Sequence, residues 1–313
     1  MKTNIILFFL FLFFFESYSQ NIYELQKNII DEQQEKIIDS LNFKKIIIEK
    51  YQKKLQSKKL NRKPTSRDII SYNDKNLISK IEDQFLKKSD ITIFNYDEEA
   101  RIIKKSFTTK KGNFKLTKPS GLWGRTVNDA DSTLFIYKKN NLILEKTYKN
   151  GLSGIKEFEY SKNKKTIKIL NSDGELKSKI IVENDLNSET KTEIDSLGTM
   201  ISVETRKFID DKLVVLYRNH KKYGKLKSII ERNDKNQISS FVVINLSIKK
   251  NDKGYSVTNL YKYNSNDLLL SETTKTKLAN HTKKYHYNSN NLIKKIEYFV
   301  DKKLNGLTVY KYK

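Results

Sequence analysis

The sequence predicts a mainly β protein, an antiparallel β-meander repeat array preceded by an N-terminal α-helical segment. Three observations lead to this prediction. Apolar residues recur at helical spacing between Ile22 and Leu60, a stretch without Gly or Pro. A seven-residue motif that starts with Tyr and ends with Leu or Ile recurs in the remaining chain. Between its copies apolar and polar residues alternate, which is typical of half-buried strands.

The start of the chain has the three parts of a signal peptide. Lys2 precedes an apolar run over residues 5–15, and a polar stretch follows. Ser17 and Ser19 are small residues suited to cleavage after Ser19, which leaves Gln20 as the new N-terminus. The apolar run reaches roughly 16 Å as a helix, whereas the bilayer core needs about 30 Å. We expect an exported protein, in the periplasm, at the cell surface or outside the cell, with a signal anchor as the alternative.

Composition limits the chemistry. The chain has no Cys, so disulfides, thiolate metal sites, Cys nucleophiles and a lipid-modified Cys are excluded. The net charge of +24 favours anionic polymers or membrane surfaces as partners, although a genome that favours Lys and Asn codons would also produce it. Arg is the better residue for reading bases and phosphates, and only seven of the 61 basic residues are Arg. We therefore expect no specific nucleic-acid recognition.

The helical segment is predicted over residues 20–62. Its stripe consists of apolar residues three, four or seven positions apart, namely Leu25, Ile29, Ile30, Ile37, Leu41, Ile48, Tyr51 and Leu55. Such a helix could self-associate as a short coiled coil, fold back near Asn42 or lie against the β array. Pro64 ends the pattern, because proline removes a donor and clashes within a helix. The predicted domains are thus a signal peptide at 1–19, the helical segment, a linker at 63–68 and the array at 69–313.

The repeat motif has four good copies, which begin at Tyr72, Tyr96, Tyr263 and Tyr287. Two pairs of them are 24 residues apart. Weaker copies begin at Tyr137, Tyr160, Leu170, Ile194, His220 and Arg232. The fifth position is Asn, Asp or Ala in the good copies and Gly in three of the weaker ones, and most of these residues tolerate the positive φ that a hairpin turn needs. Second turn signals at 149–151, 210–212 and 301–303 predict two strands and two turns per unit.

The pattern Tyr-Asn/Asp-x-x-Gly/Asn-x-Leu/Ile resembles the YD repeats of Rhs-type proteins over residues 71 to 313. Segments such as Tyr148-Lys149-Asn150-Gly151-Leu152 and Leu304-Asn305-Gly306-Leu307 also look like MORN-like repeats. Both resemblances imply an antiparallel β scaffold. Neither implies an activity for this chain, because the core motif and toxin domain of large Rhs proteins are not visible in it.

The sequence offers no catalytic constellation, so we expect no enzyme, no cofactor and no metal. His281 and His286 are five residues apart in a predicted strand and should lie on opposite faces, and His220 stands alone. Asp129 and Asp131 supply too few oxygens for a calcium loop. No nucleophile elbow, zinc motif, P-loop or dinucleotide fingerprint occurs.

An inserted loop at about 110–131 carries the candidate binding residues. Trp123 is the only Trp of the chain, and Arg125 follows it closely among Pro and Gly. Such a pair could stack on a sugar or on a partner side chain. The alternative is a Trp that packs over the sheet to close an irregular connection.

Three functions are compatible with these patterns. The first is an exported, non-enzymatic β-repeat protein used for binding or structure at the cell envelope, with an envelope protein as partner and no integral membrane segment. The second is an electrostatic binder of anionic envelope polysaccharide or lipopolysaccharide. The third is an enzyme with dispersed carboxylates, since Asp and Glu recur at the turns.

Overall fold

The fold is taken from a computed structural model of the chain. It describes residues 34, 37–38, 41, 43–52, 59–86, 88–112, 114–116, 131–210, 212–222, 224–246 and 256–313. Twenty strands are described. They are β1 Lys45–Gln52, β2 Ser66–Tyr72, β3 Ile78–Phe85, β4 Lys88–Tyr96, β5 Ile102–Lys111, β6 Ser132–Lys138, β7 Asn141–Tyr148, β8 Leu152–Ser161, β9 Lys164–Leu170, β10 Leu176–Asp185, β11 Ser188–Asp195, β12 Met200–Ile209, β13 Lys212–His220, β14 Gly224–Arg232, β15 Ile238–Asn245, β16 Ser256–Tyr263, β17 Leu269–Lys275, β18 Asn280–Tyr287, β19 Ile293–Val300 and β20 Lys303–Tyr312.

The strands form one closed antiparallel barrel. Each strand pairs with the next along the chain, and β1 pairs with both β2 and β20. Ile46 of β1 lies opposite Ile70 on one side and opposite Tyr312 on the other. The predicted architecture, a repeat array led by a helix, is therefore wrong. Closure satisfies the two edges that such an array would leave unpaired.

The predicted helix over 20–62 is wrong where the structure describes a strand within it. Lys45–Gln52 form β1, although Ile48 and Tyr51 belong to the helical stripe of the sequence. The segment contains three consecutive Ile residues at 46–48, and β-branched side chains favour a pleated surface. Helical geometry is described at Gln34, Ile37, Ile38 and Leu41, before β1 begins. Most of the predicted helix lies outside the described residues.

Gln34, in this helical stretch, contacts the barrel. The side-chain amide of Gln34 donates to the carbonyl of Asn291 at 3.2 Å and accepts from the amide of Ile293 at 2.9 Å. Gln34 thus satisfies both a donor and an acceptor where β19 begins. Gln34 is buried, and its two hydrogen bonds join parts of the chain that lie 257 to 259 residues apart in the sequence.

The predicted hairpin turns are confirmed. At the turn before β19, the amide of Asn288 donates to Leu292 O at 2.9 Å, and Asn288 Oδ1 accepts from the amides of Asn290 and Leu292 at 3.0 Å each. Asn291, at the fifth position of the motif, has φ of 59°. Asn or Asp forms the same turn at 73, 97, 171, 195, 233 and 264. An Asx side chain closes such turns because it hydrogen-bonds its own downstream backbone.

The copies do not all turn at the same end of the barrel. Leu170 follows Tyr160 by one strand rather than two, so the turn at 171–175 lies at the end opposite to that of 97–101. Arg232 follows His220 by one strand, so the turn at 233–237 lies again at the same end as the turn at 97–101. The end of the barrel at which the copies turn therefore changes twice along the chain, and this divides the strands into three successive groups.

The Tyr that opens several of the copies has a structural role. Tyr263 donates its hydroxyl to Ile238 O at 2.9 Å, Tyr287 to Leu269 O at 2.7 Å, and Tyr312 to Ile293 O at 2.8 Å. In each case the acceptor follows the turn of the preceding copy. Burial raises the pKa of Tyr263 to about 12. The hydroxyls therefore link successive hairpins through neutral hydrogen bonds, and Tyr312 continues this series into the last strand.

The core lies on one side of strands β14 to β20. We call this side the tyrosine face, because Tyr261, Tyr285 and Tyr298 share it in register. The buried cluster consists of Ile230, Ile238, Phe241, Val243, Tyr261, Leu269, Tyr285, Ile293 and Ile296. The other side is called the opposite face. Apolar burial on a single face is what holds an antiparallel sheet together.

Ala100 is a point of backbone strain that a substitution should relieve. Its φ is 62°, a left-handed conformation that costs an L residue with a Cβ about 1–2 kcal/mol. We expect Ala100→Gly to raise the free energy of unfolding by about 1 kcal/mol, measured by urea denaturation. Ala279→Gly is the matched control, since Ala279 has no positive φ. It should lower stability slightly, by about 0.5 kcal/mol. Equal shifts in both variants would contradict the strain at Ala100.

Candidate functional site

The sequence-predicted site residues fall into two groups. Trp123, Arg125 and Asp129 lie outside the described residues, so their proposed roles stay predictions. Asp131 is described immediately before β6. Its carboxylate accepts from the amide of Asn150 at 2.6 Å, and its carbonyl accepts from the amide of Phe107 at 2.8 Å. Asp131 therefore ties the turn after β7 to β5, a structural use of that carboxylate.

The three histidines do not converge. His281 lies opposite Val300 and His286 opposite Lys295 on the same pair of strands, so the two point to opposite faces as the odd spacing predicted. His286 Nε2 is 2.9 Å from Glu297 Oε2. His220 accepts from the amide of Lys222 at 3.0 Å, and burial lowers its pKa. Within the described ranges, no group of three or more His, Asp or Glu could hold a metal ion.

Five of the described arginines are used within the molecule. Arg67 pairs with Glu49, Arg101 with Asp97, and Arg206 and Arg218 with Glu204. Arg232 donates to the carbonyl of Asn236 at 3.0 Å. Their guanidinium groups are therefore committed to internal carboxylates and carbonyls.

Glu204 is the centre of a buried ionic network on the tyrosine face. It is 7% exposed. Arg218 donates to Oε2 from Nε at 3.1 Å and from Nη2 at 2.7 Å, and Arg206 binds Oε1 at 3.0 Å. Burial alone would raise the pKa of Glu204, but the two guanidinium groups outweigh it and hold the pKa below its usual value. The carboxylate is thus charged and both of its oxygens are bound by arginine, as expected of a group with a structural role.

Glu49 has a similar role on the opposite face, where the barrel closes. It is 4% exposed and accepts from Arg67 at 2.8 Å, Tyr51 at 3.0 Å and Lys311 at 2.6 Å. Burial opposes the charged form, but these donors together hold the pKa of Glu49 below its usual value. Because Arg67 belongs to β2 and Lys311 to β20, the carboxylate of β1 joins both of its neighbouring strands.

Glu272 is the most deeply buried carboxylate of the described strands, at 2% exposure. Its Oε2 lies 3.2 Å from both Lys283 Nζ and Tyr285 Oη. Burial and the adjacent carboxylate raise the pKa of Tyr285 strongly, so this phenol stays neutral and donates. The cluster joins the neighbouring strands β17 and β18.

Lysine side chains also stack on aromatic rings. On the opposite face, Lys207 and Lys227 place their ammonium groups 5.8 and 5.6 Å from the centroid of the Tyr217 ring. On the tyrosine face, Lys105 lies 5.6 Å from Phe94 and 5.3 Å from Phe135. Contacts within about 6 Å are cation–π interactions. Three strands build each of these two groups, so sequence reasoning could not find either without the register.

No family model matches the chain, and no curated protein matches it. Among solved structures, the barrel is similar to a porin-like protein from Bacteroides uniformis, with 10% identity over 87% of this chain and 98% of that chain, at a TM-score of 0.37. A second similar structure is TcdB2-TccC3, with 12% identity over 78% of this chain and 20% of that chain, at a TM-score of 0.27. These likenesses do not assign the chain to the YD-repeat or MORN-like families.

Proposed function

We propose that this chain is an exported, non-enzymatic β-barrel protein that acts in binding or structure at the cell envelope. The observation that carries the proposal is how the buried carboxylates are used. Glu49, Glu204 and Glu272 each bind cations or a hydroxyl from neighbouring strands. A general acid or base needs a proton that a substrate can reach. Carboxylates that are enclosed by strand partners serve stability instead.

Charged pairs on both faces support a barrel surrounded by water. Lys295 pairs with Glu297 at 2.8 Å on the opposite face, and the partly exposed Lys156 pairs with Glu145 at 2.8 Å on the tyrosine face. A Lys at the midplane of a bilayer costs about 2–4 kcal/mol on a lipid-facing strand. We therefore propose that the mature protein is not integral to a membrane. In the part of the chain that the structure describes, no helix has the length and apolar character of a membrane span.

Fractionation of the native bacterium tests this function. We expect the protein in the periplasmic, surface or extracellular fraction, with Gln20 as its N-terminus by mass spectrometry. Alkaline carbonate should release any membrane-associated protein, because strands that face water provide no apolar surface that would keep the barrel in the bilayer. A cytoplasmic protein that retains Met1 would contradict export. Retention in membranes after carbonate treatment would contradict a barrel that lies outside the bilayer.

Binding of anionic envelope polysaccharide is a second candidate function. The net charge of +24 supports it, together with the internal use of arginine, because lysines then supply the accessible positive charge. Lysines that stack on aromatic rings add apolar surface beside that charge. If such binding is electrostatic, the affinity should fall as salt is added.

A further inference from the structure

We propose that Lys207, Tyr217 and Lys227 form a subsite for the acidic sugars of an anionic polysaccharide. We call this group the Tyr217 site. The inference rests on the second candidate function above and names its residues. The three side chains belong to the neighbouring strands β12, β13 and β14. Tyr217 lies opposite Lys227 on one side and opposite Thr205 on the other, two residues before Lys207.

The register places all three side chains on one face of the barrel. Residues two apart along a strand share a face, so Thr205 and Lys207 point the same way as Tyr217. The two ammonium groups each lie within 6 Å of the same ring centroid. Tyr217 and Lys227 are partly exposed and Lys207 is exposed. The site therefore offers one aromatic ring and two positive charges to a ligand in solution.

The two lysines of the Tyr217 site differ in their ion pairing from other lysines of the same face. Lys164 and Lys168, on β9, pair with Glu183 and Glu159. Lys207 and Lys227 have no ion pair within the described part of the chain. The nearest acidic residue along β14, Glu231, accepts from Ser240 at 2.7 Å. An anionic ligand would thus meet two ammonium groups without first displacing a described carboxylate.

The chemistry of the site fits a uronic-acid sugar better than other polyanions. An aromatic ring packs against the C–H face of a sugar, and an ammonium group binds its carboxylate. Nucleic-acid recognition relies on arginine for bidentate contacts, and Arg67, Arg218 and Arg232 are bound internally. Strands in register, about 4.8 Å apart, present side chains at intervals close to the length of one sugar unit. We therefore assign the site to polysaccharide and not to DNA.

The test compares two double variants of the purified mature protein. K207Q/K227Q removes the charges of the Tyr217 site, and K164Q/K168Q removes two paired lysines of the same face. Both lower the net charge of +24 by two, so any effect of the overall field is matched. Binding of polygalacturonate at low salt is measured by calorimetry, with neutral dextran and duplex DNA as reference ligands. Circular dichroism verifies that each variant is folded.

We expect K207Q/K227Q to weaken polygalacturonate binding about tenfold and K164Q/K168Q to change it less than about twofold. Tyr217→Leu should weaken it about threefold and leave the salt dependence unchanged, because the ring carries no charge. Equal losses in the two double variants would overturn the site. DNA binding as tight as polygalacturonate binding, with the same loss in K207Q/K227Q, would overturn the assignment to sugar.

Absence of polygalacturonate binding in every protein, including the unaltered one, would also overturn the inference. That result would leave the exported barrel untouched, because its own test depends on fractionation and the mature N-terminus. The two proposals can therefore fail separately.

Discussion

Leu269→Ala should lower the free energy of unfolding by about 2–5 kcal/mol, the range for truncating a buried Leu. Leu269 is 1% exposed and belongs to the cluster on the tyrosine face. Its carbonyl also accepts the hydroxyl of Tyr287 at 2.7 Å. The substitution removes three carbons from a packed site and keeps the backbone acceptor. Urea denaturation followed by circular dichroism measures the change.

The next residue is the matched control. Leu270 follows Leu269 on β17 but is 47% exposed. Leu270→Ala removes the same atoms from a surface position, so we expect a change within about 0.5 kcal/mol. If both variants lost the same stability, the cluster on the tyrosine face would not be the core of the barrel. A small loss in Leu269→Ala alone would lead to the same conclusion.

The turns were predictable from the sequence because their cause is local. Within five residues, an Asn or Asp side chain and a residue with positive φ decide the backbone path. Asn288 and Asn291 supply both requirements, and the structure forms the expected turn. Strand positions follow from the same logic, since the turns leave alternating segments of seven to ten residues between them.

Closure of the barrel could not be predicted in the same way. It depends on β1, whose partners β2 and β20 lie on opposite sides of it and far apart in sequence. Lys45–Gln52 has apolar residues at both helical and strand spacing, and the helical spacing predicts a helix. The segment is a strand because it pairs with both β2 and β20, and tertiary contacts of this kind override local conformational preference. The contact of Gln34 with Ile293 is equally remote from any sequence pattern.

The candidate site shows the same limit. Trp123 and Arg125 stood out because Pro and Gly surround them, a signal that can be read within one segment. Lys207, Tyr217 and Lys227 carry no such signal, since Lys and Tyr are common throughout the chain. They become a group only when β12, β13 and β14 are aligned. Sites that strands assemble across a sheet require the register, which the turns alone do not give.

Glu204→Gln should lower the free energy of unfolding by about 3–5 kcal/mol at neutral pH. The variant leaves Arg206 and Arg218 without the carboxylate that both of them bind. Removing one partner of a buried pair is costly because an uncompensated charge stays behind. Glu183→Gln is the control, since Glu183 pairs with Lys164 at the surface with half of its side chain exposed. Exposed pairs contribute about 0–1 kcal/mol, so the control should change little.

The stability loss in Glu204→Gln should depend on pH. The guanidinium groups hold the pKa of Glu204 below its ordinary value of 4.5, so its contribution is fully present above 4.5. It is then lost as the pH falls through the lowered folded value, because the carboxylate becomes protonated. The stability difference between the unaltered protein and Glu204→Gln should therefore be constant from neutral pH to about 5 and shrink below 4.5. A difference that stays constant down to pH of about 2, where carboxyl groups of ordinary pKa are protonated, would contradict a charged Glu204 at the centre of the network.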